Sequence, residues 1–228
     1  MFKARFRVLP IAIVAIVFAS VLASPAQAAS TKYPLTVKFG GYTTKIAKKP
    51  TKIISLSPSA TEIFFAIGAK SQILAVDNLS NYPAGTPMSE ISAFEPNVEA
   101  ILAKKPDLVL LSIDSTKAPQ IRNALTKLGI PVLMEKAPAT LQDVYAENTL
   151  LGRVTDRAAG AAKLNASMAK SIKNIVSKAK KSSKVRIFHE LDDTYFSVTS
   201  NTFIGKVYKD FGALNIADAA SGADSSGY

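Results

Sequence analysis

Short apolar runs alternate with amphipathic segments along the first 140 residues of the chain. The runs typical of strands buried on both faces are Lys52–Leu56, Ile73–Val76, Asp107–Ser112 and Ile130–Met134. The segments with apolar residues at helical spacing are 58–67, Val98–Lys104 and Ala118–Leu128. Because strands and helices alternate in this order, the pattern predicts an α/β fold with a mostly parallel sheet covered by helices.

The stretch KIISLSPSATEIFFAIG, residues 52–68, contains the sharpest change from strand to helix. Ser57 is a suitable helix cap, and Pro58 suits the first helical position, where no backbone N–H is needed. Ser59 and Glu62 offer a second capping pair. A helix N-terminus just beyond the carboxyl end of a strand is where open α/β sheets bind ligands, although an ordinary strand–helix unit has the same pattern.

A hairpin is predicted before this unit and a pair of helices after it. Leu35–Phe39 and Tyr42–Ile46 flank Gly40-Gly41, a favourable two-residue turn. Thr140 is predicted to cap a helix over Leu141–Gly152. The next helix, predicted over Asp156–Lys181, would be on the order of 35 Å long at ~1.5 Å per residue, so we expect it to connect two lobes.

The strand pattern resumes after this long helix. Val185–Glu190 and Tyr195–Val198 are predicted strands, and Asn201-Thr202 is predicted to cap a helix that ends at Phe211. No strand is predicted within Ala213–Tyr228. Because two strands and one helix cannot bury a sufficient core, this region either adds to the first domain or belongs to a unit that is cut short.

The N-terminus has the pattern of an export signal. Three basic residues precede the apolar run Val8–Leu22, and Ala26-Gln27-Ala28 matches a signal-peptidase site, so cleavage is expected before Ala29. The apolar run is shorter than the roughly 20 residues that span a bilayer. An uncleaved membrane anchor is the alternative interpretation.

The amino-acid composition argues against several kinds of site and partner. The chain is 48% hydrophobic and 20% charged, which is typical of a globular protein. It contains no cysteine, which excludes disulfides, thiolate metal sites and a lipid-modified cysteine. The net charge of +11 includes a lysine-rich run at 178–184. We interpret that run as a solvated face and expect no nucleic-acid binding, because no aromatic residues interleave with it.

A search for catalytic patterns finds little. The single histidine, His189, lies in a predicted strand beside Glu190, and neighbours on a strand point to opposite faces. We therefore predict no metal site, and we interpret His189 as structural. The chain has no G-x-S-x-G, P-loop or G-x-G-x-x-G motif.

Several segments together resemble a known family. These are TKIISLSPSATEIFFAIGAKSQILAVDNLSNYP, EPNVEAILAKKPDLVLLS and LTKLGIPVLM. Following an export signal in this order, they resemble the periplasmic substrate-binding proteins of ABC importers for cobalamin, haem and iron–siderophore complexes. The resemblance extends from about Leu35 to Ala217. It implies two α/β lobes with mostly parallel sheets, joined by one long rigid helix, and a ligand held between them.

The resemblance also implies the residues of the binding cleft. The residues of this chain at the family's cleft positions are Ser57, Pro58, Ser59, Thr61, Tyr82 and Phe94. Tyr82 and Phe94 would offer aromatic surface to a flat macrocycle or chelate. Glu99 would be the exposed carboxylate that docks to an arginine of the permease, although a favourable charge in the first turn of a helix is an equally good interpretation.

The implied protein is not an enzyme. It would be a monomer without an intrinsic cofactor, exported to the periplasm or the outer face of the cytoplasmic membrane, and its ligand would be cobalamin, haem or a ferric siderophore. One alternative is an exported enzyme on the same two-lobe scaffold, using cleft carboxylates such as Glu62, Glu95 or Asp114. Another is a surface module that an uncleaved N-terminal helix holds in the membrane.

The predicted organisation departs from the family at its end. We expect a signal peptide at 1–28, an N-terminal lobe at 29–139, an interlobe helical segment at 140–183 and a partial C-terminal lobe at 184–228. In the family, the second lobe has a later segment that carries its own docking glutamate. The chain ends about where that segment should begin, so we expect the second lobe to be incomplete. Tryptophan is absent, so stacking would depend on tyrosine and phenylalanine.

Overall fold

The computed structural model describes residues 30–114, 116–179, 185–193 and 196–220. The strands are β1 (Leu35–Phe39), β2 (Tyr42–Ile46), β3 (Ile53–Leu56), β4 (Ile73–Val76), β5 (Leu108–Ser112), β6 (Val132–Glu135), β7 (Arg186–Ile187) and β8 (Leu214–Asn215). The helices are α1 (Pro58–Ala66), α2 (Val98–Ala103), α3 (Ala118–Lys127), α4 (Leu141–Val154), α5 (Ala158–Lys178) and α6 (Phe203–Asp210). The predicted signal segment lies outside the described residues, as does Tyr195.

The main sheet has four strands in the order β4-β3-β5-β6, and every pair in it is parallel. This confirms the predicted α/β fold. From β3 the chain runs first to one neighbour, β4, and later to the other, β5, so its direction across the sheet reverses there. The crevice at such a reversal, outside the carboxyl ends of the strands, is the usual ligand site of open α/β sheets.

Two apolar clusters cover the two faces of this sheet. Successive residues of a strand point to opposite faces, so Ile53 and Ile54, both fully buried, enter different clusters. The Ile53 cluster includes Phe64 of α1 and Leu151 of α4. The Ile54 cluster includes Ile101 of α2 and Leu125 of α3, among other residues. This burial on both faces explains why the strands are apolar throughout.

The predicted hairpin of β1 and β2 is confirmed. Gly40 and Gly41 have φ values of +55° and +84°, the left-handed backbone that a tight hairpin turn needs. A Cβ on Gly40 would lie 2.1 Å from the carbonyl oxygen of Met134, so the turn packs directly on β6.

Helices α4 and α5 form a closely packed antiparallel pair. Asn148 Nδ2 donates a hydrogen bond of 2.8 Å to Asn165 Oδ1, and a Cβ on Gly152 would lie 2.5 Å from that of Ala161. Among the described residues of α5, Ala161 alone is buried. Within the described part of the chain, no helix is both long and apolar enough to cross a membrane.

The long helix, predicted from about Asp156, begins two residues later, at Ala158. Asp156 has a φ of +59° and belongs to the turn between α4 and α5. Its carboxylate accepts hydrogen bonds from the Thr31 N–H at 2.7 Å and from Lys49 Nζ at 3.0 Å, which hold the pKa of Asp156 below its usual range. These contacts fix the turn to the N-terminal segment.

The prediction of no strand after residue 212 was also wrong. β8 pairs in parallel with β7, and the Leu214 N–H donates to the Val185 carbonyl oxygen at 2.8 Å. The predicted strand Val185–Glu190 is shortened to Arg186–Ile187. The β7–β8 sheet is separate from the four-stranded sheet, so this region does not extend the first sheet.

Candidate functional site

The carboxyl ends of β3, β5 and β6 border a cavity, and a second cavity adjoins it at Ser59 and Pro138, which line both. We call the first, of about 260 Å³, the strand-end cavity. It is lined by Leu56, Ser57, Pro58, Ser59, Leu79, Ala93, Phe94, Ser112, Asp114, Glu135, Ala137 and Pro138. The second, of about 600 Å³, is the α1–α4 cavity. It is lined by Ser59, Glu62, Ile63, Phe65, Ala66, Tyr82, Pro83, Pro138, Val144, Glu147, Asn148, Leu164 and Met168.

The turn from β3 into α1 is held by its own serines. Ser57 is the helix cap, as predicted, and its side-chain oxygen accepts a hydrogen bond from the Ala60 N–H at 3.3 Å. Pro58 occupies the first helical position. The predicted capping pair of Ser59 and Glu62 does not form, because the Ser59 hydroxyl donates to Glu135 Oε1 at 2.7 Å. The turn is thus connected to the end of β6.

Thr61 lies beneath this turn and lines neither cavity. The side chain is fully buried, and its hydroxyl is within 2.8 Å of the Ser57 carbonyl oxygen and 3.2 Å of the Ser80 hydroxyl. Ser80 is held in turn by Asp77, whose carboxylate accepts from the Ser80 hydroxyl at 2.7 Å. Thr61 therefore connects α1 to the loop that carries Tyr82. It supports the turn from beneath, whereas we expected it in the wall of the cleft.

The two predicted aromatic residues border different cavities. Tyr82 is 63% exposed and lines the α1–α4 cavity. Phe94 is 64% exposed and lines the strand-end cavity. Because the cavities adjoin at Ser59, the two rings flank one continuous concave surface.

Sequence reasoning missed two buried acids at this surface, Glu135 and Glu147. Glu135 ends β6, one residue beyond the predicted strand, and is 4% exposed. Glu147 is 6% exposed although it lies on α4 among polar residues. The signal for Glu135 was its place directly after an apolar strand, where the other candidate residues also lie. No signal marked Glu147, because its burial depends on how α4 packs.

The two acids interact directly with each other. Burial, the nearby charge of Glu135 and a hydrogen bond with the Glu135 carboxyl together raise the pKa of Glu147 from 4.5 to about 8. Glu147 is therefore protonated at neutral pH, since two buried carboxylates in contact cannot both ionise readily. The Glu147 carboxyl thus carries a proton beside the α1–α4 cavity.

The three carboxylates considered for an enzyme lie in different places. Glu62 lines the α1–α4 cavity and Asp114 the strand-end cavity, but Glu95 lines neither. Glu95 instead forms an exposed ion pair of 2.7 Å with Lys117, and the hydrogen bond from Lys117 lowers the pKa of Glu95. Among the residues that the structure describes, no three acids or histidines lie close enough to hold a metal ion.

Two further candidates lie away from the cavities. Glu99 is exposed in the first turn of α2, behind the cap Asn97, whose side chain accepts from the Ala100 N–H at 3.0 Å. His189 Nδ1 lies 2.8 Å from the Tyr208 hydroxyl. This contact fits the structural role predicted for the histidine.

Comparison with known proteins gives a family match. The profile of the family described as periplasmic binding protein matches residues 53–228. A cobalamin-binding protein of Halobacterium salinarum is 29% identical over 177 residues, which are 74% of this chain and 47% of that protein. The uncharacterized ABC transporter substrate-binding lipoprotein YvrC of Bacillus subtilis is 30% identical over 208 residues, which are 87% of this chain and 66% of that protein.

Solved structures agree with this match. A possible iron-binding (periplasmic solute-binding) protein from Staphylococcus epidermidis superposes with a TM-score of 0.66 at 26% identity. The superposition covers 74% of this chain and 67% of that one. This chain thus spans about half to two thirds of the length of these similar proteins.

Proposed function

The chain belongs to the periplasmic binding protein family, and from this premise we propose that it is an extracytoplasmic solute-binding protein of an ABC importer. It captures cobalamin or an iron chelate, either a ferric siderophore or haem, and delivers it to the permease in the membrane. The names of its relatives support both the ligand and the delivery to a permease, since one relative is a cobalamin-binding protein and another is an ABC transporter substrate-binding lipoprotein.

One structural observation carries this proposal. At the reversal point of the parallel sheet, the turn 57–59 and the exposed rings of Tyr82 and Phe94 surround one concave surface. The cavities of about 600 and 260 Å³ that form it are of the size that takes a large flat ligand. Rigid aromatic side chains cover such a ligand at low entropic cost.

The proposal assigns different roles to the cleft residues, to the segments of the chain and to Glu99. Ser57, Pro58 and Ser59 with the two rings contact the ligand, and Thr61 supports them from beneath. Residues 29–139 form the first lobe, 140–183 connect the lobes, and 184–228 belong to the second. The exported protein acts as a monomer without an intrinsic cofactor and releases its ligand chemically unchanged, and Glu99 meets the permease.

Native mass spectrometry of the protein exported by its host tests the function. We expect a co-bound species whose mass identifies a corrinoid, haem or ferric siderophore. Protein stripped of ligand should then retain the same chelate through gel filtration, followed by the chelate's visible absorbance. A protein that carries no adduct and retains none of these chelates would overturn the proposal.

Substitution of the two rings tests the site. Tyr82→Ala combined with Phe94→Ala should weaken chelate affinity by about tenfold or more, because stacked aromatic surface is lost from both cavities. Phe188→Ala is the matched control, since Phe188 is 53% exposed and lines neither cavity. Equal affinities of the double variant and the control would move the site elsewhere.

A further inference from the structure

The loop that carries Tyr82 is attached to the main sheet at both of its ends. At one end, the Asp77 N–H donates to a carbonyl oxygen of β3 at 3.2 Å. At the other end, Met88 forms a parallel bridge with the last residue of β4. The tip between these ends, residues 81–86, brings the exposed Tyr82 ring to the α1–α4 cavity. The place of the ring therefore depends on how firmly the two ends are held.

Asp77 holds the first end through three donors of the loop. The residue directly follows β4, and its side chain is fully buried. One carboxylate oxygen accepts from the N–H groups of Leu79 at 2.7 Å and of Ser80 at 2.9 Å. The other oxygen accepts from the Ser80 hydroxyl at 2.7 Å. An aspartate that bonds to the backbone two and three residues later fixes a tight turn, so the loop leaves β4 in one direction.

The same carboxylate orients the hydroxyl groups beyond it. Because a carboxylate only accepts, the proton of the Ser80 hydroxyl points to Asp77. The Ser80 oxygen is then an acceptor for the Thr61 hydroxyl, which lies 3.2 Å away. The Thr61 hydroxyl also lies 2.8 Å from the Ser57 carbonyl oxygen. A continuous hydrogen-bonded chain thus runs from Asp77 to the turn between β3 and α1.

This buried chain joins the two walls of the candidate site without lining either. The turn from β3 into α1 lines the strand-end cavity, and Tyr82 lines the α1–α4 cavity. Asp77, Ser80 and Thr61 line neither cavity, and each is at most 1% exposed. Since every hydrogen bond requires a particular distance and direction, a satisfied polar network specifies one arrangement of the elements that it connects.

We propose that Asp77 is a positioning residue of the binding site, which holds the Tyr82 loop against the start of α1 and thereby raises the affinity for the ligand without contacting it. The effect on affinity rests on the proposed function, whereas the effect on the loop does not. Loss of the carboxylate leaves three loop donors without their acceptor, so the Tyr82 ring samples more orientations. Binding must then order the loop again, and this ordering lowers the affinity.

The fluorescence of a single tryptophan tests the effect on the loop without any ligand. The chain contains no tryptophan, so Tyr82→Trp introduces one reporter at the loop tip. Adding Asp77→Ala should lower the steady-state anisotropy of this reporter, because the tip gains nanosecond motion. Adding Thr44→Ala instead is the matched control, since it removes a buried hydrogen bond of 2.6 Å to the Val132 carbonyl oxygen, on another strand pair. Equal anisotropy in the two backgrounds would overturn the inference and leave the proposed function standing.

Calorimetric titration tests the effect on affinity, with cyanocobalamin, ferrichrome or haemin, whichever the unmodified protein binds. Asp77→Ala should weaken the affinity about tenfold or more, whereas Thr44→Ala should leave it unchanged. Asp77→Asn should stay within about threefold, because its amide oxygen still accepts from the two N–H groups. Its NH₂ group donates to the Ser80 hydroxyl, which then donates to Thr61, so the chain persists with its direction reversed.

The comparison of Asp77→Ala with Thr44→Ala decides the result. Equal affinities in these two variants would overturn the inference, because a general loss of stability affects both; thermal melting measures that loss in each. If Asp77→Ala does not fold, Ser80→Ala replaces it in both experiments, since this variant breaks the link to Thr61 and keeps the Asp77 bonds to backbone N–H groups. If the unmodified protein binds none of the three chelates, the proposed function is overturned, and the tryptophan reporter alone decides the role of Asp77.

Discussion

Ser59 is the residue at which the helix terminus, the carboxyl pair and both cavities meet. Its hydroxyl lies 3.0 Å from that of Ser57 and donates to Glu135 at 2.7 Å. This bond fixes the Glu135 carboxyl, which in turn is hydrogen-bonded to Glu147. A short exposed side chain thereby connects the α1 terminus to the buried acids, and a ligand that contacts Ser59 also contacts that network.

Glu147 gives the protein a stability that depends on pH. Its pKa is raised from 4.5 to about 8 in the folded protein, so the folded state binds more protons than the unfolded state between these values. The free energy of unfolding should therefore decrease as pH rises from about 4.5 through about 8. Glu147→Gln cannot ionise, so it should flatten this decrease and be more stable than the native protein above pH 8.

Urea unfolding at pH 5, 7 and 9, with linear extrapolation to zero denaturant, measures this effect. Glu90→Gln is the control, since it removes a negative charge at an exposed position. A native-like decrease in stability with pH in Glu147→Gln would contradict the assignment of the raised pKa to this residue.

At the scale of elements, α1 and the α4–α5 pair are joined by close backbone contact. A Cβ on Gly160, near the start of α5, would lie 2.1 Å from the carbonyl oxygen of Ile67, just after α1. The φ of Gly160 lies outside the left-handed region, so glycine is needed here only because the neighbouring backbone is close. This contact sets the distance between α1 and α5, two of the helices that line the α1–α4 cavity.

Gly160→Ala tests that contact. Alanine has a helix propensity about 1 kcal/mol more favourable than glycine, yet we expect a net loss of about 1–3 kcal/mol in the free energy of unfolding, because the methyl group meets a backbone carbonyl. Ser171→Ala, at an exposed position of the same helix, is the control and should change stability by less than about 0.5 kcal/mol. Stabilisation by Gly160→Ala would show that the helices can separate at no cost.

Among these elements, the helix caps could be predicted from the local sequence, whereas a strand that forms only by pairing with another strand could not. The caps Ser57, Asn97, Thr140 and Thr202 were predictable, because each bonds to a backbone N–H within the first turn of its own helix. β8 was not predictable, because Leu214–Asn215 is a strand only through its pairing with β7. Two residues are too few to show a periodic pattern.

At the scale of the whole molecule, the docking role proposed for Glu99 can be tested separately from ligand binding. Glu99 lies on α2 and lines neither cavity. Glu99→Ala should leave chelate affinity unchanged and lower uptake by cells about tenfold, since an interface charge contributes to docking with the permease. Titration of the purified protein and an uptake assay in cells measure the two effects, and Glu90→Ala is the control.

An opposite result would be informative. If Glu99→Ala lost chelate affinity while binding to the permease was unchanged, the residue would belong to the ligand site. If uptake and affinity were both unchanged, Glu99 would contribute only a favourable charge at the start of a helix.

The sequence by itself determined the α/β class, the parallel sheet, the hairpin and the β3–α1 turn. These depend on apolar runs, on glycines and on capping residues that act within a few positions of one another. The same local reasoning placed Ser57, Pro58 and Ser59 at the carboxyl edge of the sheet.

Only the tertiary structure decided which polar groups meet at that edge. Glu135 ends β6 and Glu147 lies on α4, and their carboxyl groups meet only in the folded protein. Thr61 lies in the interior and not in the expected cleft wall, because Ser80 of a distant loop covers it. Contacts between distant residues leave no periodic trace, so the acid pair of the site and the supporting role of Thr61 follow from packing.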